Sequence, residues 1–187
     1  MLFFIEVFLK KLYIASMKKI IFAFLSVIAL FNMGCNKGGE KTTFTMKDIA
    51  FTLSGPLYEG SNPGQYIVQV DLKTILGDKF HNGAKITGAT LKNATIKALD
   101  SGNFNDISSF VLSIASDNAD LKMKELAVLN PVPAGSKQVV LKAAEEISVD
   151  DYFGEKQFYV IVDATLSKDR DPDLKFLGDF EFELEYK

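Results

Sequence analysis

Apolar and polar residues alternate one by one along much of the chain after position 43. In the clearest stretch, 176–186, the even positions carry Phe, Gly, Leu or Tyr, and every odd position from Asp179 onward carries a carboxylate. Residues 158–166 alternate in the same way, with both faces partly apolar. Because successive side chains of a strand point to opposite faces, this period predicts strands. We expect 158–166 near the centre of a sheet and the carboxylates of 176–186 in water.

Turn residues separate the segments that carry the strand pattern. We expect the last two segments to form a hairpin through residues 168–173, and Asn82-Gly83 to mark another hairpin. Residues 104–109 and 148–153 begin near Asn, Ser or Asp, which favours single helical turns. The predicted strands are 43–53, 66–72, 85–92, 94–99, 110–116, 121–129, 136–141, 158–166 and 176–186. The chain is therefore predicted to be all-β, an antiparallel β-sandwich of about eight or nine strands with short helical connections, with a closed barrel as the alternative.

The N-terminal residues follow a different pattern. Met17 is followed by two lysines and then by twelve residues, 20–31, of which Ser26 alone is polar. A basic start, a short apolar stretch and a small residue at its end are typical of a secretory signal peptide. The apolar stretch is shorter than the ~20 residues that span a bilayer. We expect residues 1–34 to be the signal-peptide region. Within it, we expect Met17 to be the true start of translation.

Cys35 is the one cysteine of the chain and directly follows Gly34. A cysteine at this place resembles a relaxed lipobox of bacterial lipoproteins. The resemblance implies that Cys35 is acylated, becomes the mature N-terminus and anchors the protein in the cell envelope, at the periplasmic or the surface face of the outer membrane. Residues 35–43 would then be the lipidated cysteine and a polar tether. Residues 44–187 would be a domain similar to secreted β-sandwich lipoproteins.

Charge and cysteine usage narrow the function classes. From Cys35 onward the chain has 17 basic and 23 acidic residues, a net charge of −6. Such a domain lacks the basic surface that nucleic acids require. An acylated Cys35 leaves no thiol for catalysis, zinc binding or disulfides. We therefore expect no cofactor beyond the covalent lipid. The expected partners are the membrane, through the acyl anchor, and an envelope protein or a glycan.

Few residues form a pattern typical of catalysis or metal binding. His81 is the one histidine and stands in a predicted turn, and the chain has no Gly-x-Ser-x-Gly motif. We interpret His81 as an exposed turn residue. Asp169, Asp171 and Asp173 alternate as in the first half of a calcium-binding loop, but the rest of that loop pattern is absent. They make a weak calcium candidate, and we predict no other metal site and no catalytic residue.

Loops at the ends of a sandwich can carry recognition residues. Tyr58, in a long predicted loop over 54–65, and Tyr152, in another connection, are the candidate ligand contacts. Tyr58 has the alternative of folding back to plug its own loop. We predict a non-catalytic binding or structural module. The alternative is a carbohydrate-active or other hydrolytic enzyme that uses loop carboxylates, for which the candidates are Glu145, Glu146, Asp150 and Asp151.

Overall fold

The computed structural model describes residues 39–99 and 102–187, which are mostly β-strand. The predicted signal peptide and Cys35 lie outside the described residues. In chain order the described elements are β1 (Glu40–Leu53), β2 (Gly60–Gln69), α1 (Leu72–Leu76), a 3₁₀ turn (Gly77–Lys79), β3 (Ile86–Ala98), β4 (Ile107–Ala115), β5 (Lys124–Leu129), β6 (Gln138–Ala143), a second 3₁₀ turn (Asp150–Gly154), β7 (Gln157–Leu166) and β8 (Leu174–Tyr186).

The eight strands form one antiparallel sheet in the order β1-β8-β3-β6-β5-β4-β7-β2. This sheet folds into two layers, β1-β8-β3 and β2-β7-β4-β5, which meet through β6. The junction is narrow, because β6 pairs through four residues with β3 and through two with β5. The two ends of the order, β1 and β2, lie against each other at the open side. The predicted antiparallel β-sandwich is confirmed.

Aromatic side chains fill the space between the layers. On β8 the residues at even positions are buried along the whole strand, as their alternation predicts. Phe176 of β8 stacks on Phe51 of β1 with ring centres 5.2 Å apart. Phe176 also meets Phe110 of β4, in the opposite layer, at 5.7 Å. The core therefore joins both layers through contacts between distant parts of the chain.

The hairpin predicted between β7 and β8 is wrong. β7 pairs with β2 and β4, whereas β8 pairs with β1 and β3, so the two strands lie in opposite layers. Residues 167–173 cross between the layers, and Leu57 and Arg170 exchange backbone hydrogen bonds of 2.8 and 2.9 Å at the crossing. The crossover gives each strand hydrogen-bonded neighbours on both edges. The Asn82-Gly83 turn also joins no hairpin, since β2 and β3 belong to different layers.

Strand boundaries differ from the predicted ones where a neighbouring strand supplies hydrogen-bond partners. β1 begins at Glu40, so that residues 40–43, predicted as tether, pair with 183–186 of β8. The predicted strands 85–92 and 94–99 form the single strand β3, whose two bulges absorb the irregular stretch. β2 begins at Gly60 and pairs with β7 along its length, so the loop predicted over 54–65 ends before it.

The helical predictions are half confirmed. The turn expected at 148–153 overlaps the 3₁₀ turn Asp150–Gly154. The turn expected at 104–109 gives way to β4, since Ile107 pairs with Leu166. The sequence pattern also missed α1, which Asp71 caps by accepting hydrogen bonds from the Lys73 N–H and the Thr74 hydroxyl.

None of the helices among the described residues is long and apolar enough to span a membrane.

Candidate functional site

The structure separates the two tyrosines that the sequence proposed as ligand contacts. Tyr58 lies in the β1–β2 loop with 66% of its surface exposed. The Asn62 side-chain amide donates to the Tyr58 carbonyl at 2.8 Å, which holds the loop backbone and leaves the ring in solvent. Tyr58 is therefore available for contact, and the alternative in which it plugs its own loop is wrong.

Tyr152 is fully buried, so the proposal that it contacts a ligand is wrong. It lies in the second 3₁₀ turn beside Phe153, and this turn packs against β3 and β7. The Tyr152 hydroxyl donates to the Lys122 carbonyl, and burial raises the pKa of the phenol. The Lys124 ammonium stands 5.6 Å from the ring centre. Tyr152 closes one end of the core because its ring is apolar and its hydroxyl reaches a backbone acceptor.

Two of the three calcium candidates, Asp169 and Asp173, accept hydrogen bonds from backbone groups of a neighbouring loop. The Asp169 carboxylate accepts a hydrogen bond of 2.7 Å from the Glu59 N–H, and that of Asp173 accepts one of 3.1 Å from the Gly55 N–H. These bonds join the β7–β8 crossing, which also contains Asp171, to the β1–β2 loop. Within residues 39–99 and 102–187, no group of three or more His, Cys, Asp or Glu side chains is placed to hold a metal ion. Asp169 and Asp173 thus connect the two loops.

The remaining catalytic candidates do not converge. His81 is exposed in its turn, as predicted, with Nδ1 3.3 Å from the Asn82 carbonyl oxygen. Glu145 lines a depression of about 290 Å³ together with Glu183 and Glu185 of β8. Asp150 accepts a hydrogen bond from the Ser148 hydroxyl, while Glu146 and Asp151 are exposed.

The outer face of the β1-β8-β3 layer is charged. Asp179 and Glu183 belong to the carboxylate row of β8, whose position on this outer face confirms the prediction that it faces water. The Lys41 ammonium lies 3.1 Å from the Glu183 carboxylate, which lowers the pKa of Glu183 and raises that of Lys41. The Asp48 N–H, at 2.8 Å, and the Lys97 ammonium lower the pKa of Asp179. Lysines of β1 and β3 thus neutralise part of the row.

The outer face of the β2-β7-β4-β5 layer contains a groove of about 750 Å³ whose lining is mainly apolar. The pairing of β2, β7, β4 and β5 places outward-facing side chains in two rows that run across the layer. One row contains Pro63, Asp163, Val111 and Val128; the other contains Gln65, Ile161, Ser113 and Glu125. Met123, which is 65% exposed, adds an apolar side chain at the β5 end of the groove.

Both charged side chains among the described residues that line this groove are acidic. The Asp163 carboxylate accepts hydrogen bonds from the Ser61 hydroxyl at 2.6 Å and the Asn62 N–H at 2.8 Å, which orient it on β7. Glu125 is exposed on β5. The Lys124 ammonium donates to the Ser148 carbonyl at 2.7 Å, so that its charge is engaged outside the groove lining. The groove therefore combines an apolar floor with negative charge.

Sequence reasoning missed this groove, although one of its signals was visible. Residues 158–166 have apolar side chains on both faces, a pattern that favours a position near the centre of a sheet. β7 does have a strand on each side, yet Ile161 faces outward and lines the groove. The other lining residues come from three further segments, and no local pattern indicates that these segments meet.

No protein-family model and no curated protein sequence matches this chain. Among solved structures, the chain is similar to the infectious bursal disease virus VP2 subviral particle, with a TM-score of 0.45 and 8% identity over 80% of this chain and 33% of that chain. It is similar to the decameric BFDV capsid protein, with a TM-score of 0.41 and 10% identity over 79% of this chain and 99% of that one. It is also similar to the CBM35 from Cellvibrio japonicus Abf62, with a TM-score of 0.35 and 8% identity over 76% and 92%. The chain spans about a third of the VP2 length. At these values the similarity indicates neither a ligand nor an activity.

Proposed function

We propose that this protein is a lipid-anchored component of a bacterial cell envelope and that its β-sandwich domain binds a partner without catalysing a reaction. The observation that carries the proposal is the order of residues before the domain. Met17 and two lysines precede an apolar stretch of signal-peptide length, which ends at Gly34-Cys35. Acylation of Cys35 would make that residue the N-terminus and the point of membrane attachment.

The position of β1 supports a short link between anchor and domain. β1 begins at Glu40, five positions after Cys35. A fully extended chain covers about 3.3–3.6 Å per residue, so this link reaches at most roughly 18 Å. Partners of an anchored domain would thus be sought close to the envelope surface to which it is attached.

The surface of the domain supports binding in preference to catalysis. Among residues 39–99 and 102–187, the Asp150 carboxylate accepts a hydrogen bond from Ser148 of its own loop, and His81 lies against the Asn82 carbonyl with no hydrogen bond to a carboxylate. By contrast, the groove on the β2-β7-β4-β5 face has a volume in the range of ligand sites and an apolar lining with a few polar groups. This groove is the binding site that we propose for the domain.

Metabolic labelling with an alkyne-bearing fatty acid tests the anchor. We expect cells that express the wild-type chain to yield a labelled protein, and Cys35→Ala to abolish the label. Ser26→Ala, within the same N-terminal segment, is the matched control and should retain it. Label that persists in Cys35→Ala, or wild-type protein without label, would refute lipidation at this residue.

Protease treatment of intact and lysed cells then locates the anchored domain. Loss of the domain from intact cells would place it on the outer surface, whereas protection until lysis would place it in the periplasm. Recovery of the wild-type domain from the soluble cytoplasmic fraction would contradict an envelope protein altogether.

A further inference from the structure

The two outer faces of the sandwich differ in a way that selects a class of partner. On the β1-β8-β3 face, lysines neutralise part of the carboxylate row, as Lys41 does for Glu183 and Lys97 for Asp179. On the β2-β7-β4-β5 face, the described groove lining carries two carboxylates and no basic side chain. Buried apolar area supplies affinity, and complementary charge supplies specificity. A matching partner therefore has apolar side chains and positive charge.

The shape of the groove favours an extended partner. Its lining comes from β2, β7 and β4 and from the β5 side, and four neighbouring strands at about 4.8 Å spacing give a width of roughly 14 Å. An extended peptide that runs across the four strands would cover this distance with four or five residues, at about 3.3 Å each.

Pro63 indicates that recognition uses the face of the layer instead of its edge. β2 is an edge strand, and a peptide could in principle extend the sheet there by backbone hydrogen bonds. Pro63, in the middle of β2, has no N–H to donate and interrupts such pairing. Its ring instead lines the groove beside Asp163, its register partner on β7. Contacts with a partner are therefore made by side chains.

Charge argues against two other occupants. A second copy docked through the same face would bring the Asp163 and Glu125 carboxylates of both copies together, and like charges at an interface are unfavourable. An anionic lipid surface would be repelled by the same carboxylates. Both are outcomes that the experiment below distinguishes.

We propose that this groove binds an extended peptide segment that carries both apolar and basic side chains. The apolar side chains pack on Val111, Ile161 and Met123, one lysine or arginine reaches Asp163, and another reaches Glu125. The proposal rests on the proposed function as a binding module and names the chemistry of its partner. Asp163 is held by the Ser61 hydroxyl and the Asn62 N–H, so one carboxylate is already oriented before the partner arrives.

Fluorescence anisotropy with a designed probe tests the proposal. The probe is a labelled, end-blocked octapeptide with serine at the even positions and with leucine and lysine alternating at the odd positions, so that one face of the extended peptide carries both kinds of side chain. The control peptide has glutamate in place of lysine. The protein is purified from the cells that produce it. We expect the leucine–lysine peptide to bind, and the leucine–glutamate peptide to bind at least about tenfold more weakly because its charge is repelled.

Two matched protein variants separate specific from general electrostatic effects. Glu125→Gln should weaken binding of the leucine–lysine peptide about three- to fivefold, the range of an exposed ion pair. Glu181→Gln makes the same change of charge on the outer face of β8 and should leave binding unchanged. Met123→Gln should weaken binding by about fivefold or more through loss of apolar contact, and it should leave the fold intact because Met123 is 65% exposed.

Several results would overturn the proposal. These are no binding at millimolar peptide, equal binding of both peptides, equal loss in Glu125→Gln and Glu181→Gln, or a dimer in sedimentation experiments that Met123→Gln dissociates. Tighter binding to anionic vesicles than to the peptide would also overturn it. None of these results changes the acylation of Cys35, and loss of the acyl label does not change peptide binding. A failure of this proposal is therefore distinguishable from a failure of the proposed anchor.

Discussion

Replacing Gly178 with alanine tests whether the aromatic core leaves room for even one methyl group on β8. Gly178 is buried at an inward-facing position of the strand. A Cβ atom built there would lie 2.7 Å from Cε2 of Phe180, closer still to Cζ of the same ring, and 3.2 Å from Cε2 of Phe51. Both rings are themselves buried, and Phe51 also stacks on Phe176. The Phe180 ring therefore cannot move aside without displacing its neighbours.

Two opposing effects determine how much Gly178→Ala changes the free energy of unfolding. Overpacking a dense core costs about 1–3 kcal/mol. Removing a glycine from a strand interior returns about 0.5–1 kcal/mol through the unfolded chain. The overpacking exceeds the gain, and we expect Gly178→Ala to lower the free energy of unfolding by about 1–2 kcal/mol. With a urea m-value of about 2 kcal/mol/M, the midpoint should fall by about 0.5–1 M.

Equilibrium unfolding in urea, followed by far-ultraviolet circular dichroism, measures this change. Gly154→Ala is the control, because no heavy atom lies within 4 Å of a Cβ built at that exposed position. It should change stability by less than about 0.5 kcal/mol. In a Phe180→Leu background, Gly178→Ala should cost less, since the ring atoms that clash have been removed. Equal stability of Gly178→Ala and Gly154→Ala, or an undiminished cost of Gly178→Ala in the Phe180→Leu background, would refute this account of the packing.

Two further predictions concern polar contacts. The N–H of Asp48 and the ammonium of Lys97 lower the pKa of Asp179 below its ordinary value of 3.8, so the stability that they provide is present above that pH and is lost as the pH falls below it. Stability measured from about pH 6 to about pH 2 should therefore decline more steeply in the wild type than in Asp179→Asn, and parallel curves would contradict the assignment. Tyr152→Phe removes the donor to the Lys122 carbonyl and should lower the free energy of unfolding by about 1 kcal/mol, measured by urea unfolding. An unchanged midpoint would show that this hydrogen bond contributes no net stability.

Local pattern predicts most of the fold at the level of single strands. The alternation along 176–186 reports one buried face and one charged face, and the structure places both as predicted. Strand ends are predicted less well, since β1 gains residues 40–43 only because β8 extends far enough to pair with them. Of the candidate site residues, Tyr58 is exposed and Tyr152 is buried. Both stand in connections between strands, and only the packing of the second 3₁₀ turn distinguishes them.

The sequence alone determined the features that depend on neighbouring residues: the period of two, the strands that it produces, the acidic charge of the domain and the Gly34-Cys35 order on which the proposed anchor rests. Tertiary structure decided which strands are neighbours. The separation of β7 from β8 and the rows of side chains that join Asp163 with Val111 depend on pairing between distant segments. The physical reason is that alternation specifies which face of a strand is buried, whereas backbone hydrogen bonds can be made with any suitable strand. The shared aromatic core selects among those partners. The strand order that results brings together the residues that line the groove.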